Sequence, residues 1–113
     1  MKRIIFNLKK EWYDKIASGE KTVEYRRICG HWARRLTGRW KTGQYEEFVL
    51  RGGMTYEEPV LAVFRRGYSK IHRDIVRRIV KIDIGPCPYD GWDGEYFRIH
   101  FEKGERRWTE LKS

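Results

Sequence analysis

Three ionisable residues, Lys21, Glu24 and Arg26, lie close together in the sequence with a spacing that could bring their charges together. The stretch KTVEYRR alternates in polarity, which predicts a strand over Lys21–Arg27 with Val23 and Tyr25 facing inward. Glu24 and Arg26 then share the other face, about 6.6 Å apart along the strand, and Lys21 at the preceding turn can reach over the same face. The carboxylate can accept the amino protons of a nucleobase, while the cations contact phosphate or carbonyl oxygens.

The same three residues allow two other interpretations. Glu24 can act as a general base toward a 2′-hydroxyl or a water, with Lys21 or Arg26 stabilising the oxyanion. A Lys-Glu-Arg cluster on a half-exposed strand can also be a structural salt bridge that contributes little to stability. The residue types alone leave these alternatives open.

Further residues are candidates for contacts with a nucleic acid or a nucleotide. The ring of Tyr13 or of Trp40 can stack on a base, and arginines at the end of a predicted strand can extend a row of phosphate contacts. Arg98 and His100 can close the cleft or can be ordinary surface or hydrogen-bonded groups. The set predicted to contact the ligand is Lys9, Tyr13, Lys21, Glu24, Arg26, Arg27, Trp40, Arg65 and Arg66.

The net charge of +9 is concentrated in two segments of the 113-residue chain. Residues 26–41 contain six basic and no acidic residues, and residues 65–81 contain seven basic residues against Asp74 alone. Between them, residues 44–58 are acidic. Basic segments interleaved with Trp and Tyr are typical of single-stranded nucleic-acid surfaces, which predicts RNA or a nucleotide-derived ligand as the partner. A basic surface without a dedicated partner is the alternative.

Several classes of protein are excluded by composition. Hydrophobic residues make up 40% and aromatic residues 15% of the chain, which argues against disorder. No apolar run approaches the roughly 18 residues of a membrane-spanning helix. Cys29 and Cys87 form no disulfide framework, and with His31 they lack the paired spacing of a zinc site, so no metal or cofactor is expected. We expect a cytoplasmic protein without a membrane partner, with a monomer favoured over an oligomer.

The polarity pattern predicts short strands and two short helices. The first helix follows from Leu8, Trp12 and Ile16 at helical spacing, with Gly19 after its end. A second helix is predicted across residues 31–37. The strands are predicted at Lys2–Leu8, Lys21–Arg27, Phe48–Arg51, Val60–Arg65, Ile79–Ile84 (Val80, Ile82 and Ile84 buried) and Tyr96–Glu102 (Phe97, Ile99 and Phe101 buried).

These elements predict an α+β domain spanning residues 1–113. The predicted architecture is a small, mixed, partly closed β-barrel of five to six strands with two or three short helices. A doubly wound parallel sheet is disfavoured because regular alternation of strand and helix is missing.

The stretch LKKEWYDKIASGEKTVEYR resembles the start of the ASCH domain, a family of the PUA-like superfamily. The family pattern G-x-K-x-x-E-x-R stands here as Gly19, Lys21, Glu24 and Arg26, after a short helix. The close match covers roughly a fifth of the chain. The resemblance implies a PUA-like barrel with a cleft lined by this motif, and a role in RNA or modified-nucleoside chemistry.

The resemblance also implies two enzymatic alternatives, a ribonuclease for single-stranded RNA and an N4-acylcytidine amidohydrolase. Lys21 and Glu24 are the catalytic candidates in either case. In the amidohydrolase-type members a Thr nucleophile stands where this chain has Glu24, and Thr22 lies two positions too early. We therefore predict binding over catalysis, and we keep a protein-interaction module using the acidic residues 44–58 as a further alternative.

Overall fold

The computed structural model describes residues 2–38, 48–49, 51–67 and 73–104. Five strands and two helices lie in this part of the chain. In chain order they are β1 (Lys2–Leu8), α1 (Lys10–Ala17), β2 (Val23–Arg27), α2 (Gly30–Thr37), β3 (Val60–Arg66), β4 (Ile75–Pro86) and β5 (Glu95–Phe101).

The strands form one mixed sheet in the order β1-β3-β4-β5-β2. β1 and β3 are parallel, whereas β3 with β4 and β2 with β5 are antiparallel. The α+β class, the mixed sheet and the two helices are therefore confirmed for the described residues. β1 and β2 are the two edges of this sheet, so it is open.

The chain divides into two compact units, each assembled from separate stretches of sequence. The first unit contains described residues 2–22, 57–67, 73–79 and 101–104, and the second contains 23–38, 48–49, 51–56 and 80–100. Strand β4 contributes its first part to the first unit and its second part to the second unit. An organisation as one domain stays a prediction.

The core of the first unit is centred on β3. Its residues Val60–Phe64 are buried in succession, as expected for a strand that lies between β1 and β4 and is covered on both faces. Phe64 stacks on Phe6 with ring centroids 5.5 Å apart, and it contacts Phe101 in a tilted arrangement with centroids 4.8 Å apart. The helix α1 buries Ile16, while its charged residues Lys10 and Asp14 pair at its surface.

The core of the second unit lies on one face of β5. Phe97 and Ile99 are fully buried, and Phe48 meets Phe97 edge to face at 6.2 Å. The helix α2 adds Ala33 and Leu36. The hydroxyl of Tyr56 donates a hydrogen bond to the Leu36 carbonyl at 2.6 Å, which supplies a partner to an acceptor at the end of α2.

Most predicted elements agree with the structure, and two differ for local reasons. The predicted strand Phe48–Arg51 is wrong, because Phe48 and Val49 are helical and a turn through Gly52 and Gly53 follows. A strand over residues 79–84 is confirmed within the longer β4, but Val80 is 52% exposed.

The alternation of β4 changes phase at this point. Val80 and Lys81 are both exposed, and Ile82 and Asp83 are both buried. A strict period of two cannot predict such a break, which is what a β-bulge or a sharp bend produces.

Gly53 provides a test of the packing beside β4. At φ 100°, a Cβ on this residue would lie 2.1 Å from the Ile82 carbonyl oxygen, at a place where Met54 and Ile82 pair through their backbones. Gly53→Ala should therefore cost the left-handed strain of about 1–2 kcal/mol plus an overpacking penalty of about 1–3 kcal/mol.

Gly52→Ala is the matched control, because Gly52 also has a positive φ (71°) but no atom lies within 4 Å of an added Cβ. Urea unfolding of both variants measures the difference. Equal losses of stability would contradict the close approach at Ile82.

Candidate functional site

The turn after α1 positions Lys21. The helix ends at Ser18, Gly19 adopts φ 84°, and the backbone N–H of Lys21 donates to the Lys15 carbonyl at 3.0 Å. A left-handed residue favours glycine, which explains why the sequence G-E-K can return the chain onto the side of its own helix.

Lys21 lies against Trp12 in the first unit. Its ammonium nitrogen is 4.6 Å from the centre of the Trp12 ring, and the Lys15 ammonium is 5.3 Å from the same ring. Lys21 is only 7% exposed although it is a cation. Contact with the face of an indole offsets part of the cost of removing an ammonium from water. Trp12 is therefore half-buried under two cations rather than a residue of the apolar core.

Glu24 and Arg26 come together on β2, as predicted, in the second unit. Arg26 Nη2 donates to Glu24 Oε2 at 2.9 Å, and the backbone N–H of Tyr25 donates to Glu24 Oε1 at 3.0 Å. Glu24 is only 4% exposed, so this pair is well shielded from water. Removing one member of a shielded pair leaves a buried charge without its counter-ion, which is costly.

The face on which this pair lies differs from the prediction. Glu24 is opposite Ile99 and Arg26 is opposite Phe97 in the β2–β5 register. Residues directly opposite each other share a face, so Glu24 and Arg26 lie on the apolar side of this strand pair. Tyr25 lies on the other side, which makes the predicted inward position of Tyr25 wrong.

The guanidinium of Arg26 also contacts an aromatic ring. Its central carbon is 4.9 Å from the centre of Trp32, and that of Arg35 is 5.5 Å from the same ring. His31 meets Trp32 edge-on at 5.2 Å. Because Ala33 and Leu36 bury the inner side of α2, its outer side carries His31, Arg34 and Arg35 exposed.

A second ionic cluster lies on the opposite face of β2 and β5. Arg98 donates two hydrogen bonds to Asp83, from Nε at 2.8 Å and from Nη2 at 2.9 Å. His100 Nε2 lies 2.9 Å from Asp83 Oδ1. Since Tyr25 is opposite Arg98 and Glu24 is opposite Ile99, Arg98 and His100 do not share a face with Glu24. They are hydrogen-bonded groups of this second cluster.

The electrostatics of Asp83 follow from these contacts. Burial acts to raise the pKa of Asp83, but the hydrogen bonds and charges of Arg98 and His100 outweigh it, and the pKa lies below its ordinary value. The hydrogen bond to Asp83 raises the pKa of Arg98. Sequence reasoning missed Asp83 because a single acid in an apolar strand gives no signal of its partners.

Gly85 makes room for this cluster. A Cβ at residue 85 would lie 2.5 Å from the central guanidinium carbon of Arg98. The absence of a side chain at this position lets the Arg98 guanidinium reach Asp83.

The other predicted ligand contacts are divided between the two units. Lys9, Tyr13, Arg65 and Arg66 belong to the first unit, as Lys21 does, and the exposed Arg27 belongs to the second. The hydroxyl of Tyr13 donates to the Arg73 carbonyl, and Lys9 is exposed at the start of α1. Trp40 lies outside the described residues. The meeting of Lys21 with the Glu24–Arg26 pair stays a prediction.

Arg65 is engaged in an ion pair of its own. Two hydrogen bonds, at 3.1 and 2.8 Å, join it to Asp74. The hydrogen bond from Arg65 lowers the pKa of Asp74, and the same bond raises the pKa of Arg65. A contact of Arg65 with phosphate would compete with this pair.

The described residues do not form a metal site or a membrane-spanning helix. Within them, no group of three His, Cys, Asp or Glu side chains is placed to hold a metal ion, and Cys29 and Cys87 are free thiols. Neither of the described helices has the length and apolar character needed to cross a lipid bilayer. Comparisons of the chain with protein-family models, curated protein sequences and solved structures find no match.

The Asp83 cluster predicts a pH-dependent stability. A carboxyl with a lowered pKa stabilises the folded chain above its unfolded pKa of about 3.9, and this contribution is lost as the pH falls through the folded pKa. Asp83→Asn should therefore reduce the free energy of unfolding by about 1–3 kcal/mol at neutral pH, and the difference from the wild type should shrink below about pH 4.

Asp74→Asn is the control for this measurement. Asp74 also has a lowered pKa but is half-exposed with Arg65, so its loss should cost less than about 1 kcal/mol. Denaturant unfolding between neutral and acidic pH measures both variants. A difference between Asp83→Asn and wild type that stays constant down to pH 2 would contradict the charge-based stabilisation.

Proposed function

We propose that this protein binds RNA or a nucleotide-derived ligand as an ASCH-type domain of the PUA-like superfamily. In this proposal Lys21, Glu24 and Arg26 line one cleft, and the sheet belongs to a partly closed barrel in a single cytoplasmic domain. The family pattern G-x-K-x-x-E-x-R and the net charge of +9 support it.

The observation that carries the proposal is the contact of Arg26 with both Glu24 and Trp32. A guanidinium held at 2.9 Å from a carboxylate and 4.9 Å from an indole is fixed in orientation. A nucleobase could contact the partly exposed Arg26 and Trp32, since a carbonyl pairs with a guanidinium and a ring stacks on an indole, while the buried Glu24 holds the guanidinium in place.

The outer side of α2 supplies charge for a phosphate backbone. Arg34 and Arg35 are exposed on this helix, Arg27 is exposed just before it, and the described residues 25–38 contain no acid. These arginines lie in the same unit as Glu24 and Arg26. If one base of an RNA strand contacts Arg26 and Trp32, the exposed arginines of the same unit can contact the phosphates of that strand.

Binding is the function that these residues support better than hydrolysis. The Thr nucleophile of the amidohydrolase-type members is absent at position 24, and Glu24 is held by Arg26 and by the Tyr25 backbone. A ribonuclease or amidohydrolase using Lys21 and Glu24 is the alternative.

Fluorescence anisotropy of a labelled single-stranded RNA tests the binding proposal. Wild-type affinity should fall steeply with salt, and Arg35→Gln should reduce the slope of log affinity against log salt by about 0.7 because one phosphate contact is lost. Glu24→Gln should weaken binding at least several-fold, with folding checked by circular dichroism.

Lys10→Gln is the matched control for the arginine variant. Lys10 is an exposed cation of α1, paired with Asp14, in the other unit. Its loss should leave the salt slope unchanged. Absence of RNA and nucleotide affinity at low salt would contradict the proposal and favour the protein-interaction module. Equal effects of Lys10→Gln and Arg35→Gln on the salt slope would show that the binding is non-specific and depends only on net positive charge.

A turnover assay distinguishes binding from catalysis. Labelled single-stranded RNA and N4-acetylcytidine should both persist with the wild-type protein. Cleavage of either one that is lost in both Lys21→Ala and Glu24→Gln, with folding intact, would replace the binding proposal by the hydrolase alternative.

A further inference from the structure

The Asp83 cluster contains more positive than negative charge. Arg98 donates to both oxygens of Asp83, and His100 Nε2 lies 2.9 Å from Oδ1. Lys81 also belongs to the cluster, since its ammonium lies 3.8 Å from Oδ2. Lys81 and Arg98 are permanent cations against the single carboxylate, so one positive charge is in excess, and protonation of His100 adds another.

Two adjacent strands place these side chains on one surface of the second unit. Lys81, Asp83 and Gly85 alternate along β4, and Arg98 and His100 alternate along β5. Gly85 has no side chain, and an added Cβ would lie 2.5 Å from the central guanidinium carbon of Arg98. The guanidinium therefore lies close to the backbone of β4, and the positions of the basic groups are set by strands rather than by a loop.

The acid is the most buried member of the cluster. The side chain of Asp83 is 11% exposed, whereas the side chains of Lys81, Arg98 and His100 are 46%, 28% and 26% exposed. A solute that approaches from water therefore meets the basic groups before it meets the carboxylate. This order favours the approach of an anion.

The two permanent cations keep hydrogen-bond donors that Asp83 does not use. Arg98 contacts Asp83 through Nε and Nη2, and its Nη1 makes no hydrogen bond within the described residues. The Lys81 ammonium, at 3.8 Å, is beyond hydrogen-bond distance of the carboxylate, and it has no other acceptor in the part of the chain that the structure describes. Both groups can donate to an anion while the contacts between Arg98 and Asp83 stay intact.

The ion pair of Arg65 with Asp74 lacks these features. Its carboxylate also receives Nε and Nη2 of one guanidinium, but no second cation accompanies that contact, so the two charges cancel. The two side chains are exposed to a similar degree, so an anion would meet the acid as readily as the cation. The two pairs share a bidentate contact and differ in excess charge.

We propose that Lys81, Arg98 and His100 bind a phosphate monoester. Asp83 lies behind these groups and keeps its present contacts. A monoester carries about −1.5 to −2 charges at neutral pH and three strong acceptor oxygens, which suits a cluster with excess positive charge and unused donors. The site lies on the opposite face of β2 and β5 from Glu24, so it is separate from the proposed RNA cleft and does not depend on it.

Nitrogen-15 NMR of the arginine Nε–H groups tests the site. The Arg98 resonance is assigned by its disappearance in Arg98→Lys, and the Arg65 resonance by Arg65→Lys. The probes are methyl phosphate, a monoester, and dimethyl phosphate, a diester with a single negative charge. Methyl phosphate should shift Arg98 in a saturable way and leave Arg65 nearly unmoved, and dimethyl phosphate should bind about five-fold more weakly.

A variant of Lys81 separates ligand binding from the stability of the fold. Lys81→Gln removes a cation from an exposed side chain and should weaken the binding of methyl phosphate about five-fold. Because Lys81 makes only the long contact to Asp83, the variant should unfold at nearly the wild-type denaturant concentration. Lys10→Gln is the matched control, since Lys10 is an exposed cation in the first unit, and its loss should leave the affinity unchanged.

Sulfate tests the contribution of His100, because its double charge is constant from about pH 5.5 to about pH 8, the range in which histidine titrates. Burial acts to raise the pKa of Asp83, but the hydrogen bonds from Arg98 and His100 keep it below its ordinary value, so Asp83 stays ionised. On β2, Val23 is apolar and burial raises the pKa of Tyr25, so neither gains a charge in this range. Sulfate should therefore bind more tightly as the pH falls and His100 is protonated, and His100→Gln should remove this dependence.

The source of the monoester is identified with uridine 5′-monophosphate and with oligouridine that carries a 5′-phosphate or a 5′-hydroxyl. Both phosphorylated probes should shift Arg98, and the tighter of the two distinguishes a free nucleotide from the end of a strand. The 5′-hydroxyl oligouridine should shift Arg98 much less, even if it binds at the proposed RNA cleft.

Three results would overturn the proposal. They are no shift of Arg98 by methyl phosphate, equal shifts of Arg98 and Arg65, or equal shifts of Arg98 by the phosphorylated and unphosphorylated oligouridines. In the first case the Asp83 cluster only joins its strands, in the second the anion acts through ionic strength, and in the third the surface contacts the internal phosphates of RNA.

Discussion

A carboxylate can lie inside a protein only if a cation or several donors accompany it, because burial removes the water that would otherwise solvate its charge. The second unit meets this constraint twice, at Glu24 with Arg26 and at Asp83 with Arg98. The two pairs lie on opposite faces of β2 and β5. A slip of one residue in this register would move Glu24 from the apolar face to the face of Asp83, so the paired charges make the register specific as well as stable.

Aromatic rings and carboxylates contact several of the basic side chains. Trp12 and Trp32 lie under lysines and arginines, and Arg65 is held by Asp74. Arg34 and Arg35 of α2 remain exposed, and in the proposed RNA complex they would contact the phosphate backbone.

Periodicity predicted the elements that have one apolar face. The strand over Lys2–Leu8, both helices, and the buried Phe97, Ile99 and Phe101 of β5 follow from alternation or helical spacing alone. The predictions failed at two places where the local backbone departs from the pattern. Phe48 and Val49 are helical before the turn at Gly52 and Gly53, and Val80 is exposed because the alternation of β4 changes phase.

The candidate site was predictable only in part, because hydropathy misassigned the face of β2 and some contacts join residues from different elements. The pairing of Glu24 with Arg26 follows from their spacing of two residues on a strand. Their position on the apolar face does not, because hydropathy alone assigns Val23 and Tyr25 to that face. Trp32 and Asp83 reach their partners from other elements, and no short-range pattern in the sequence connects them.

A double-mutant cycle on Glu24→Gln and Arg26→Gln, measured on RNA affinity and on the free energy of unfolding in parallel, tests the central claim most directly. If the pair holds the ligand, the single and double variants will show a coupling energy in RNA affinity in addition to any coupling in stability. A coupling confined to stability, with RNA affinity equal in all four proteins, would show that the pair only supports the fold.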